Sequence, residues 1–268
     1  MNIPKKIHYC WFGKTPLPQD AIICINSWKK FFPNYEIIEW NEDNFDVNIC
    51  DYVREAYTEK KWAFVSDYAR FWVLFIYGGI YFDTDVEVIK SFDDVLKNGA
   101  FLGSEIGSKN AILRNGSNLN INPGLGMGAE KGMEMYERVL NYYNSIHFDP
   151  YKLITVCKYT TNIFIDYGYQ GTLGIERICD INIYPPKYFC PMDYHTGGIT
   201  LSDESHSIHR YSATWLSKKE NSYRMFQEKI SSKYGIDCSK KRIFKVIKNL
   251  YCYGIRGTIE KFKRKKRK

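Results

Sequence analysis

The sequence predicts an α/β fold: a mostly parallel sheet with helices on both faces. Three observations carry this. Short apolar or alternating runs recur at intervals along the 268 residues. Between them lie longer segments whose apolar residues return every three or four positions, the period of a half-buried helix. Gly-Gly, Pro-Asn and Gly-rich breaks separate the two kinds.

Lys5 to Phe12 (KKIHYCWF) reads as a first strand, stopped by Gly13 and a loop containing Pro16 and Pro18. Asp20 to Phe32 has apolar residues at 21, 22, 25 and 28, a helical spacing, and Pro33-Asn34 ends it. Tyr35 to Trp40 alternates as a second strand, and 41–45 is a polar loop. A helix is expected over about 60–77, since Ala63, Phe64, Asp67, Arg70, Phe71, Leu74 and Phe75 recur at helical steps. Gly78-Gly79 turns the chain into a buried strand, Ile80 to Phe82, and Val86 to Ile89 resumes a strand. Gly99 to Ser104 is another strand, and 114–132, rich in Asn and Gly, reads as a loop around one short apolar piece. Helices are expected over 133–143 and 160–166, an irregular stretch around Pro185, Pro186 and Pro191, and a last strand over 207–211.

Composition excludes several classes of function. Apolar residues make up 44% and aromatics 16%, enough for a substantial core, so this is a folded protein. The eight cysteines form no C-x-x-C pair and have no histidine at zinc-finger spacing, so they read as reduced thiols. The net charge of +8 is unevenly placed. Residues 240–268 hold 13 Lys and Arg against Glu260 alone, and the remainder carries 25 basic and 29 acidic residues. A mildly acidic body argues against nucleic acid as a partner.

GGIYFDTDVEV, residues 78–88, holds the chemistry. If the strand continues past Phe82, Asp83 and Asp85 share a side and aim two charges at one point. Such a pair is unfavourable without a cation between. Two oxygen ligands suit Mg²⁺ or Mn²⁺, which keep further positions for water or substrate phosphate. In open α/β sheets ligands sit beyond the carboxyl ends of strands, where these aspartates fall. Two enzyme classes use the device. In phosphohydrolases with D-x-D-x-[TV] the first Asp is a nucleophile, but the fifth position here is Glu87. In metal-dependent glycosyltransferases the cation offsets charge developing on a leaving nucleoside diphosphate. A non-catalytic alternative is a membrane-surface binding protein whose tail is the functional part.

IPKKIHYCWFG, WAFVSDYARFWVLFIYGGIYFDTDVEV and SIHRYSATW together resemble the DXD-type sugar transferases of glycosyltransferase family 32. That family includes bacterial capsule and lipopolysaccharide enzymes and the Golgi initiating mannosyltransferase, with glucosylating toxins as more distant relatives. The resemblance spans roughly residues 3–216, dense in the first ninety. It implies a GT-A fold, a UDP- or GDP-sugar donor, a divalent metal and retention of configuration. The implied acceptor is a surface-polysaccharide or lipid-linked oligosaccharide precursor.

The resemblance assigns roles residue by residue. Asp83 and Asp85 hold the metal and through it the diphosphate. His209 falls where relatives have a metal-ligating His, which favours Mn²⁺ over Mg²⁺; His206 beside it is a possible confusion, and His8 is left to the core. Asp67 and Arg70 sit three apart on one helical face, and their counterparts contact donor sugar hydroxyls. Trp11 is either a stacking platform for the base or a core residue. Tyr81 is either a donor contact or core packing. Asn122 matches a family Asn that faces the donor, or serves a Gly-rich turn. Thr214 stands where relatives carry a Ser, its hydroxyl available to phosphate, and Trp215 where a mobile Trp closes over the donor and keeps water out. Arg210 replaces the family's usual second His. The Gly-Pro element of bacterial members is absent, with Thr160-Thr161-Asn162 near its place.

The catalytic domain is expected over 1–238 and a basic amphipathic tail over 239–268. The tail has apolar residues at 243, 246, 247, 250 and 251 among lysines, breaks at Gly254 and Gly257, and ends KFKRKKRK. Such a segment suits peripheral attachment to anionic lipid, each basic residue near the surface contributing about 1 kcal/mol. The start lacks the apolar stretch of a signal peptide, and no run of some 18 apolar residues appears. The expected location is the cytoplasm, peripheral on the inner face of the membrane.

Overall fold

The computed structural model describes residues 3–107, 112–150, 152–193, 197–212, 219, 222–223, 226–227, 230, 234 and 242–265. The chain forms two compact units, Met1–Tyr211 and Ser212–Lys268. In the first unit the order is β1 (Lys6–Cys10), α1 (Gln19–Phe31), β2 (Glu36–Trp40), α2 (Asp51–Thr58), α3 (Trp62–Tyr77), β3 (Gly79–Tyr81) and β4 (Val86–Val88). There follow α4 (Asp93–Lys97), β5 (Phe101–Ile106), β6 (Leu119–Ala129), α5 (Glu134–Asn144), α6 (Val156–Asp166), β7 (Glu176–Ile178), β8 (Ile181–Tyr184), α7 (Pro186–Phe189) and β9 (Ser207–His209). In the second unit the described helix is α8 (Arg242–Lys265), kinked at Gly254.

Seven strands form one sheet in the order β2-β1-β3-β6-β5-β8-β7, and β4 pairs with β9 in a second, two-stranded one. The α/β class holds, but the sheet is mixed rather than mostly parallel. β1 runs parallel to β2 and β3, and β5 to β8. β6 is antiparallel to both β3 and β5, and β7 is antiparallel to β8.

The strand period of two distributes side chains to opposite faces. Ile80 and Phe82 join a core with Ile25 and Trp28 of α1, Phe92 and Phe189; Tyr81 between them joins the core formed with α2, α3, α5 and α6. Helices therefore cover both faces. α1 carries Asp20 in its first turn and Lys29 and Lys30 in its last, each complementing the helix dipole. α3 is nearly all apolar and ends at Gly78 (φ 63), followed by Gly79 (φ 106). Only glycine adopts both angles without strain, and the chain passes straight into β3.

The main departure from expectation is β6. Residues 114–132 read as a loop because Asn, Pro and Gly are poor strand formers. Eleven of them form the longest strand, in the middle of the sheet. The glycines admit large neighbours: a Cβ on Gly128 would lie 2.2 Å from Phe101, on Gly126 2.9 Å from Phe82, and on Gly124 2.2 Å from Asp83 Oδ2. α2, α4, β7 and β8 were also not anticipated, α6 begins at Val156 rather than 160, and the proline-marked stretch contains α7.

Candidate metal and donor site

β3 ends at Tyr81, so Asp83 and Asp85 are not strand residues. Their convergence comes from a turn: Val86 N–H donates to Asp83 O (3.0 Å), reversing the chain between them. Asp83 N–H donates to Gly124 O (3.3 Å), tying the turn to β6. The turn leads into β4, and β9 pairs alongside with Val86 opposite His209. His209 Nε2 lies 3.1 Å from Asp85 Oδ1. One ligand atom from each of Asp83, Asp85 and His209 lies within 4.8 Å of the others.

Behind this cluster stands Arg70 on α3, almost fully buried. Its Nη2 donates to Asp67 Oδ1 (2.9 Å), its Nη1 reaches Asp83 Oδ2 (3.4 Å), and its guanidinium lies over the Tyr81 ring at 5.0 Å. Tyr81 O–H donates to Asp83 Oδ1 (3.0 Å). Burial raises the Tyr81 phenol well above its ordinary value, so it acts as a donor. Burial also lifts Asp67 to about 7, against the pull of Arg70. Arg70 is itself desolvated, but the carboxylates of Asp83 and Asp67 hold it charged. For His209 burial favours the neutral ring, yet the Asp85 charge outweighs it and raises the pKa to about 9. His209 Nδ1 is buried without a hydrogen-bond partner.

This donor set fits a hard divalent cation. Two carboxylates and an imidazole offer O, O and N ligands suited to Mn²⁺ or Mg²⁺, and both carboxylates are partly exposed, leaving access for further ligands. A cation there would take the place of the proton on His209.

The other anticipated residues are placed as follows. Asn122 on β6 donates Nδ2–H to Glu105 Oε2 (2.8 Å) and accepts from Gly124 N–H (2.8 Å), so its amide is engaged with the protein on both sides. Trp11 follows β1, half-buried at the margin of the α1-side core, its indole N–H donated to Thr15 O (2.7 Å). Thr214 and Trp215 lie outside the described residues. His8 is a core residue, accepting from Trp40 Nε1–H at Nδ1 (3.0 Å) and bonded through Nε2 to Gly78 O (2.9 Å). His206 is buried, with Nδ1 on Ser91 O (2.6 Å) and its ring stacked on Tyr188. Arg210 pairs with Glu87 across the β4–β9 ladder, Nε to Oε2 at 2.8 Å. The Glu at the fifth motif position and the Arg in place of a second His are thus partners.

Residues 18–102 match the model of the glycosyltransferase sugar-binding region containing a DXD motif. The matched segment, about a third of the chain, contains the DXD turn. Asp67, Arg70, Tyr81, Asp83 and Asp85 fall inside it, whereas Glu105, Asn122 and His209 lie beyond it. Among curated proteins, inositol phosphoceramide mannosyltransferase 1 of Schizosaccharomyces pombe is 28% identical over 112 residues, 38% of this chain and 34% of that protein. Subversion of eukaryotic traffic protein A of Legionella pneumophila is 29% identical over 120 residues, 35% of this chain and 18% of that one. The match thus spans about a third or less of these relatives' length. Among solved structures, PaToxG glycosyltransferase gives a TM-score of 0.44 at 18% identity, covering 61% of this chain and 69% of the other. A glycosyltransferase involved in the glycosylation of the major capsid of PBCV-1 gives 0.42 at 11% identity, covering 82% and 98%.

Sequence reasoning missed Glu105, Tyr211 and Gly124 around the DXD region. Glu105 follows the expected strand 99–104 by a single residue, and a carboxylate directly after a buried run was the available signal. Tyr211 gave none, because its role depends on a left-handed backbone (φ 50).

Proposed function

We propose that this chain is a metal-dependent, retaining glycosyltransferase of GT-A type, using a UDP- or GDP-sugar. The reading rests on one observation above others: His209, from far along the chain, meets Asp83 and Asp85 of the DXD turn at a single point. Asp83, Asp85 and His209 would hold Mn²⁺ or Mg²⁺. When bound, such a cation offsets negative charge on a departing nucleoside diphosphate.

The protein's own groups do the remaining work. Arg70 and Asp67 form a buried pair beside Asp83, and the role proposed for them, contact with donor sugar hydroxyls, is the one the resemblance implies. Tyr81 and Arg70 restrain the Asp83 carboxylate so that it points outward in one orientation. Trp11 at the carboxyl end of β1 offers a flat ring for the base. Asn122 takes part by holding the backbone of Gly124 next to Asp83. For Thr214 and Trp215, which lie outside the described residues, the proposed roles are those the resemblance implies, a phosphate contact and a cover over the donor. The acceptor hydroxyl attacks from the face the diphosphate leaves, and a departing phosphate oxygen takes its proton.

The proposed acceptor is a surface polysaccharide or lipid-linked oligosaccharide reached at an anionic membrane on the cytoplasmic side. Two features support this: the +12 charge of residues 240–268, and exposed Ile243, Ile247, Leu250 and Tyr251 on α8. Among the described residues no helix is long and apolar enough to cross a membrane, so attachment would be peripheral.

The test is release of nucleoside diphosphate from a panel of UDP- and GDP-sugars with Mn²⁺. Asp83→Asn and Asp85→Asn are expected to lower turnover by roughly 100-fold or more, the scale of losing transition-state charge stabilisation, with the circular dichroism unchanged. Near-normal turnover in either variant contradicts the reading.

A further inference from the structure

Glu105, the penultimate residue of β5, is linked by hydrogen bonds to the surroundings of the Asp83, Asp85 and His209 cluster but is not a member of it. Its Oε2 accepts two hydrogen bonds, from Asn122 Nδ2–H (2.8 Å) and Tyr211 O–H (3.0 Å). Each leads to a different side of the cluster. Through Asn122 Oδ1 it reaches Gly124 N–H (2.8 Å); Gly124 O receives Asp83 N–H, and the space where its Cβ would be holds Asp83 Oδ2. Through Tyr211 it reaches His209, whose ring the phenol packs against edge-on with centroids 4.4 Å apart.

Tyr211 has φ 50, a left-handed conformation that is strained for a bulky side chain and persists only where its surroundings dictate it. Those surroundings include Glu105 and the Cys190 thiol, 2.8 Å from the phenol oxygen. With the phenol proton given to Glu105, Cys190 S–H is the donor in that contact. One carboxylate oxygen therefore ties the β6 wall that shapes Asp83 to the end of β9 that presents His209.

We propose that Glu105 is a positioning residue of the cation site, fixing the spacing of Asp83 and His209 through hydrogen bonds to Asn122 and Tyr211. The inference rests on the cation reading above and names a residue outside the matched DXD region. It makes a distinction between hydrogen bonding and charge. A glutamine at 105 keeps a carbonyl oxygen that accepts both bonds; an alanine releases both arms.

The experiment is Mn²⁺ binding to the full chain without donor, read from the electron paramagnetic resonance of free Mn²⁺. Glu105→Ala is expected to weaken binding tenfold or more and Glu105→Gln less than threefold. Tyr211→Phe keeps the ring but loses the hydroxyl, and is expected to weaken binding at least threefold. The Glu105→Ala/Tyr211→Phe double variant should bind no more weakly than Glu105→Ala, since both changes cut one circuit. The inference is overturned if Glu105→Ala binds within twofold of wild type, or if Glu105→Gln falls as far as Glu105→Ala, which would make charge the agent. Should Glu105→Ala not fold, an unchanged affinity in Tyr211→Phe overturns it instead. A wild-type chain that binds no Mn²⁺ sinks the cation reading as well, and that outcome is distinct from the others.

Discussion

Gly124 has no side chain where Asp83 needs room: a Cβ there would stand 2.2 Å from Asp83 Oδ2. The obstructed atom belongs to a side chain rather than to backbone, so Gly124→Ala should leave the fold intact and push the carboxylate out of its hydrogen bonds to Tyr81 and Arg70. Mn²⁺ affinity is expected to fall roughly tenfold, about 1.4 kcal/mol, with little change in melting temperature; unaltered affinity would show that Asp83 does not need this space. His8 illustrates a different constraint. Burial pushes its pKa down to about 4, although the Gly78 carbonyl works the other way. The unfolded imidazole titrates near 6.5, so between about pH 6.5 and 4 the unfolded chain binds a proton that the folded chain refuses. Stability from this group is complete above pH 6.5 and declines on acidification, by about 3 kcal/mol at most. Urea unfolding at pH 7.5 and pH 5 checks this. The acid loss should shrink in His8→Gln, and an identical loss in the variant assigns it elsewhere.

Among elements, the DXD turn, β6 and the β4–β9 ladder decide where the site forms. Period-two alternation correctly paired Asp83 with Asp85, but for a reason that does not hold here, since β3 has already ended. The turn closed by Val86 N–H produces the same convergence. β6 was illegible because Asn, Pro and Gly are poor strand formers, whereas here the glycines let Asp83, Phe82 and Phe101 lie against the strand. That depends on neighbours far away in sequence. α3 was legible because its helical period and its Gly-Gly stop are both local. Glu87 and Arg210 lie between these cases: each looked like a departure from a motif, and only the β4–β9 register reveals them as a pair. Both are partly exposed, so their coupling should be modest, about 0.2–1 kcal/mol. A double-mutant cycle with Glu87→Ala and Arg210→Ala measures it by chemical denaturation. A coupling of zero would make the pair incidental to the ladder.

Over the whole of the first unit, a mixed sheet covered on both faces brings the carboxyl ends of β1 and β3 to the DXD turn and β9, and the proposed chemistry belongs there. The tail expectation belongs to the second unit. With the basic residues of 261–268 replaced by Gln in the full chain, sedimentation with anionic vesicles should fall markedly; equal binding would leave the tail without that role. The cluster of Asp83, Asp85 and His209 is proposed as a cation site that recruits a nucleoside diphosphate. Calorimetric titration of UDP and GDP into the protein, with and without Mn²⁺, tests it most directly. The account predicts binding of one of them that requires Mn²⁺ and disappears in Asp85→Asn. Binding of equal strength without the metal, or in that variant, would contradict it.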